Sequence, residues 1–163
     1  MTEKLIRGLS LTRPWPFAFA NGKRVENRSW RPTGKLTGCY VALHAAQSYS
    51  EDDRGFIQDR LGNSIVVPGK ESPHSQIFAV ARWNGVIVLS EPQTDQPDLI
   101  GPISAMPADQ EKWFFGPFGW LLEDYVELPE PVACKGAQLL WAIPPDALQA
   151  VREQYRAAME AKR

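Results

Sequence analysis

Cysteine is scarce in this sequence, with Cys39 and Cys134 alone. At most one bridge could form, so no disulfide framework stands in for a hydrophobic core. Such sparse use favours a reducing, cytoplasmic compartment in which both thiols pack as small apolar groups. Histidine is as rare, with His44 and His74 only and no CxxC pair, which makes a structural zinc site improbable. No resident cofactor is expected, and a divalent metal stays open only as an assistant to hydrolysis, because no ligand set can be assembled. No apolar run approaches the roughly 20 residues that a bilayer requires, so no membrane span is expected. The opening stretch 1–17 places charges inside its apolar residues and offers no small-residue cleavage site, unlike a secretory signal.

What remains is a chain of 163 residues, 44% hydrophobic and 23% charged, matching one globular domain over residues 1–163. Net charge is −1, but residues 1–35 carry Lys4, Arg7, Arg13, Lys23, Arg24, Arg28, Arg31 and Lys35 against Glu3 and Glu26. That segregation could place one basic face on an otherwise acidic body.

Hydrophobic periodicity predicts strands over 4–11, 23–30, 39–45, 76–89, 118–128 and 138–144. Gly85 marks a bend or bulge in the fourth. Pro14 opens a short helix over 14–20, which Asn21-Gly22 ends. Ser50 caps a polar helix over 50–61, with Glu51, Asp52 and Asp53 in its positive first turn. Leu148, Val151, Tyr155 and Met159 form one apolar stripe on a C-terminal helix over 145–161. Between the strands, residues 91–110 carry Pro92, Pro97, Pro102 and Pro107. That density forbids a central strand or a long helix and predicts an excursion across the surface. Short strands with helices inserted early and late indicate an α+β barrel with flanking helices.

The informative segment is 9–46, LSLTRPWPFAFANGKRVENRSW followed by GCYVALHAA. It runs strand, Arg-Pro-Trp helix start, Gly-Lys turn, Glu-x-Arg strand and a strand ending in His-Ala. With Phe115-Gly116-Pro117-Phe118-Gly119-Trp120 and Cys134-Lys135-Gly136-Ala137-Gln138 downstream, it closely resembles the ASCH family, in its bacterial and phage-associated branch. The resemblance covers most of the chain except the proline-rich excursion and the last helix. It implies a PUA-like β-barrel with a cleft lined by Lys23, Glu26 and Arg28, and an RNA-related role. Members of the family bind RNA or DNA, cleave RNA, or hydrolyse the amide of N4-acetylcytidine. Where the amidohydrolase members carry a threonine nucleophile, position 26 is glutamate, which has no hydroxyl to activate.

Physically, Glu26 and Arg28 lie two apart on a strand and share a face, whereas Lys23 has the opposite parity and joins them only from within the turn. A carboxylate beside a guanidinium is held ionised, ready to accept hydrogen bonds from a base edge or to take a proton. Arg13 could contact a phosphate, and Trp15, Trp30 and Trp120 could stack a base. His44, with Ser48 just beyond it, could act as a base or bind a phosphate. Trp83 and Trp141 read as core. The leading expectation is a binding domain for RNA, single-stranded nucleic acid or a modified nucleoside in a basic, aromatic-edged cleft. A hydrolase using Lys23, Glu26 and His44 comes second. A protein-interaction adaptor using the excursion and Trp113 comes third.

Overall fold

A computed structural model describes residues 5–30, 36–90 and 98–163. The elements run β1 (Ile6–Arg13), α1 (Trp15–Ala20), β2 (Val25–Arg28), β3 (Tyr40–Tyr49), α2 (Glu51–Leu61), β4 (Gln76–Val88), β5 (Leu99–Pro102), two 3₁₀ turns (Ile103–Ala105 and Ala108–Trp113), β6 (Phe118–Ala133), β7 (Leu140–Ala142) and α3 (Pro145–Ala161). The fold is α+β. One strongly curled mixed sheet, in the order β2-β6-β4-β3-β1-β7 with β5 beside β4, forms a half-barrel flanked by helices. The expected barrel is present at that level.

The long strand β4 is the spine, antiparallel to both β3 and β6. Its apolar residues on both faces have separate destinations. Phe78, Trp83, Val86 and Val88 join Leu9 and Leu11 of β1, Val41 and Leu43 of β3, and Trp120 and Leu122 of β6. Strands from across the sheet meet in that cluster, as residues on the inside of a curl must. On the outside, Ile77 and Val80 pack with Trp141 and with Val151 of α3. Ile87 packs with Ala18 of α1, Ile57 of α2 and Trp113. A sheet covered on both faces needs a run without polar alternation, and residues 76–88 supply it. Trp83 and Trp141 are core, as expected.

Several boundaries move for identifiable reasons. Ser50 caps α2 as expected, its hydroxyl accepting from the Asp53 backbone N–H at 3.1 Å. Strand β2 holds only residues 25–28, which leaves Lys23 in the turn. Strand β6 runs to Ala133, past the prolines at 129 and 131, because the register against β4 shifts between Ile77 and Ala79. A bulge there spares proline the ladder bond that it cannot donate. Of the proline-rich stretch, residues 91–97 lie outside the described residues. Its later part is not wholly irregular, since Leu99–Pro102 pairs in parallel with β4. Met159, expected on the buried stripe of α3, is 40% exposed, and Ala158 is buried in its place.

The bend at Gly85 is enforced by space. Its φ is +139°, and a Cβ there would lie 2.6 Å from the Asp98 carbonyl oxygen of the segment leading into β5. Gly85→Ala combines left-side backbone strain with a backbone clash. It should lower stability by about 2 kcal/mol or more, read as a fall in the urea midpoint at constant m-value.

Candidate functional site

The curl brings β2, at one end of the sheet, back toward β1, where the two strands do not pair. Strand β7 covers β1 only over Arg7–Leu9, so the edge of β1 beyond Leu9 faces β2 across a seam. The Arg28 guanidinium spans it, Nη2 donating to the Ser10 carbonyl at 3.0 Å and to Glu26 Oε2 at 2.8 Å. A cavity of about 190 Å³ opens along this seam, lined by Ser10, Thr12, Trp15, Lys23, Glu26, Asn27, Arg28, Asp53 and Phe115. The ammonium, carboxylate and guanidinium singled out in the sequence therefore share one hollow.

Each arrives by a different route. Gly22, at φ +105°, turns the chain out of α1, and the Lys23 backbone N–H closes that turn on the Ala18 carbonyl at 3.0 Å. Lys23 thus precedes β2 and escapes strand parity. Its Nζ donates to the Val25 carbonyl and to Glu26 Oε1, the latter at 3.4 Å. It also lies 4.3 Å from the Phe19 ring centroid and 5.1 Å from that of Trp15. The side chain is fully buried. Burial pulls its pKa down from 10.5 to about 8, against the Glu26 carboxylate, which favours the charged form. Glu26 sits between the two cations, each of its oxygens facing one of them. Of roughly four lone-pair positions on a carboxylate, contacts to two N–H donors leave others for a ligand.

The rim is aromatic. Trp15 is held by its Nε1–H donating to Asp53 Oδ2 at 2.9 Å. It forms a tilted cluster with Phe56 of α2 and Phe115. Phe115 is 54% exposed, an apolar ring at the mouth. Asn27 holds its segment in place, accepting from the N–H groups of Phe115 and Gly116 at 2.9 and 3.2 Å and donating to the Trp113 carbonyl at 2.8 Å.

Other residues named from the sequence lie elsewhere. The Arg13 guanidinium is buried and donates to four carbonyls, those of Ala46, Gln47, Lys70 and Ser72, at 2.6–3.1 Å. It fastens the 70–72 loop and is not among the residues lining the hollow. Trp120 is fully buried, with Trp30 edge-on against it at 4.8 Å. Trp113 is core as well. Ser48 is exposed and touches the site only through a 3.1 Å contact with Thr12 Oγ1. His44 is buried behind β1, between Ser10 and the Cys134 carbonyl. Burial lowers its pKa and favours the neutral ring, against the Cys134 carbonyl, which favours the charged form. Ser10, Thr12, Asn27, Asp53 and Phe115 were not singled out as site residues. Only the shared strand face of Ser10 and Thr12 was there to be read, since the others reach the hollow through tertiary contacts. Among the described residues no cluster of His, Cys, Asp and Glu could hold a metal, and no helix is long and apolar enough to cross a membrane.

Arg13→Lys replaces a planar fork of donors by a single ammonium that cannot reach carbonyls on two segments. It should cost on the order of 2 kcal/mol and speed protease cleavage near residues 70–72, seen by limited proteolysis. For Lys23, the folded-state pKa of about 8 lies below the 10.5 of the free side chain. Between those values the unfolded chain holds a proton that the native state has released, so stability rises with pH across that window. Lys23→Met should remove that rise, measured as the wild-type minus variant unfolding free energy on either side of the window.

No protein-family model matches the chain, and a search of curated proteins finds no similar sequence.

Proposed function

We propose that this chain is an ASCH-type domain of the PUA-like class and that the seam hollow binds a nucleoside or one unpaired, everted nucleobase of an RNA. The observation that carries this reading is the composition of the lining. Two cations, Lys23 and Arg28, and two carboxylates, Glu26 and Asp53, line the hollow together with the rings of Trp15 and Phe115. An electrically balanced set of donors and acceptors under aromatic rings suits a flat, uncharged heterocycle with polar edges. It suits a phosphate poorly, because Lys23 is buried and already paired with Glu26.

Size points the same way. About 190 Å³ is smaller than the ~300–1,000 Å³ of sites for drug-sized ligands, so one ring-sized group enters at a time. Glu26, held by the buried Lys23, accepts from a ring N–H or exocyclic amine, Arg28 donates to a ring nitrogen or carbonyl, and Phe115 with Trp15 covers a π-face. This revises the basic cleft anticipated from the charge-rich N-terminal segment. Arg13 is occupied by carbonyls, and Lys4, Arg31 and Lys35 lie outside the described residues. The adaptor alternative loses its aromatic contact, because Trp113 is buried under α1 and α2.

Titration of tryptophan fluorescence with a panel of free nucleosides tests the reading. One or more should bind with an affinity almost independent of salt, since no phosphate counterions are released. Phe115→Ala should weaken that binding roughly tenfold or more, the usual worth of a base-stacking ring, and Glu26→Ala should abolish it. Steeply salt-dependent binding of single-stranded RNA without nucleoside binding would overturn the hollow as a base pocket in favour of a phosphate-tracking surface.

A further inference from the structure

Most polar atoms lining the hollow are already engaged. The Lys23 side chain is fully buried, and its Nζ donates to the Val25 carbonyl and to Glu26. Asn27 spends its amide on the backbone of residues 113, 115 and 116. The hydroxyls of Ser10 and Thr12 are paired with His44 Nδ1 and Ser48 Oγ. Three groups keep capacity for a ligand. Arg28 uses Nη2 for its bonds to Ser10 and Glu26, while Nη1 makes no hydrogen bond among the described residues and, unlike Nε, is not buried. Glu26 meets one cation at each oxygen, which fills about two of its roughly four lone-pair positions. Asp53 accepts the Trp15 indole N–H at Oδ2 and makes no hydrogen bond through Oδ1 among the described residues.

The reachable set is one donor group and two carboxylates, and the nucleobases differ in how they answer it. On their Watson–Crick edges uracil and cytosine carry one donor group and two acceptors, and adenine carries one of each. Guanine carries one acceptor, O6, followed by two adjacent donors, N1–H and the N2 amine. Only guanine matches the lining. Uracil or cytosine would bring a second acceptor toward a carboxylate with no proton between them, and such a mismatch discriminates as strongly as the match attracts. The order agrees as well. Arg28 and Glu26 are bonded neighbours, as O6 and N1–H are on the base, which leaves the N2 amine for Asp53.

We propose that the hollow is selective for guanine, with Arg28 Nη1 donating to O6, Glu26 accepting from N1–H and Asp53 accepting from the N2 amine. Guanine selectivity rests on the hollow being a base pocket. Asp53 is fixed for its part at two points, since its backbone N–H donates to the Ser50 hydroxyl and its Oδ2 accepts from Trp15 at 2.9 Å. The indole that holds the carboxylate also lines the hollow, so the acceptor for the amine and the ring that covers the base are positioned together.

Calorimetric titration of the full chain with guanosine, inosine, 1-methylguanosine, adenosine, cytidine and uridine tests the assignment. Guanosine should bind most tightly. Inosine keeps O6 and N1–H but lacks the N2 amine, and it should bind about tenfold more weakly or worse, as expected for a lost hydrogen bond to a charged group. 1-Methylguanosine, with a methyl group in place of the N1 proton, should lose at least as much. In Asp53→Asn the gap between guanosine and inosine should close to within about threefold. Adenosine, cytidine or uridine bound as tightly as guanosine would overturn the selectivity and leave the base pocket standing, and so would equal binding of guanosine and inosine. Binding of none of the six would overturn pocket and selectivity together. These results are read on the wild-type chain, so they decide the question even if a variant fails to fold. An undiminished gap in natively folded Asp53→Asn would overturn the contact assigned to that carboxylate.

Discussion

The ion triad at the seam is the contact on which the rest of the site depends. Lys23 and Arg28 grip opposite oxygens of Glu26, and the same guanidinium reaches across to the Ser10 carbonyl. A half-barrel leaves backbone polar groups exposed wherever its ends fail to pair. Here the ends of the sheet meet through a side chain, so the gap becomes a lined cavity. The ions are too buried for the small, screened contribution of surface pairs. Removing one partner from such a set leaves an uncompensated charge in a poorly solvated place, which costs far more than the pair contributes. The positions of Lys23, Glu26 and Arg28 are thus tied to one another, and the turn after α1, the short strand β2 and the free edge of β1 are held together by that tie.

Much of this was readable from the residues because it is local. The order of elements from β1 to β4 follows from alternation, from the Ser50 cap and from the Asn21-Gly22 stop. The shared face of Glu26 and Arg28 follows from strand parity, whereas Lys23 was expected to open the strand and joins them because β2 begins only at Val25. Arg13 was not readable. Beside a Pro-Trp helix start it has the look of a phosphate contact, yet its acceptors come from residues 46–47 and 70–72. Carbonyls carry no sequence signature, and no pattern within the segment announces them. Trp120 was illegible in another way. A tryptophan in a Gly-Trp-Leu-Leu strand fits a core or a rim equally well, and the curl of the sheet settles it as core.

Charge distribution was the least transferable signal. Eight basic residues within the first 35 suggest a cationic surface, but formal charge says nothing about where each head group ends up. One is spent on carbonyls, one is buried against a carboxylate, and Arg24 lies 4.3 Å above the Tyr125 ring while donating to the Phe19 and Lys23 carbonyls. A lining with cations and carboxylates in equal number offers a ligand direction rather than net attraction.

Strand β2 shows how little chain such a site needs. Its four residues divide by parity into two functions. Glu26 and Arg28 make the floor of the hollow. On the opposite face Val25 is buried with Trp113 and Leu121, while Asn27 bonds the backbone of residues 113, 115 and 116. The segment that carries Phe115 over the mouth is therefore anchored to the strand that carries the ions beneath it. Hydrophobic residues at 27 would pack the same surface but could not accept two N–H groups and donate to a carbonyl at once. An asparagine between the glutamate and the arginine thus fixes the height of the aromatic rim above the charged floor, and that height decides whether a planar ring can touch both.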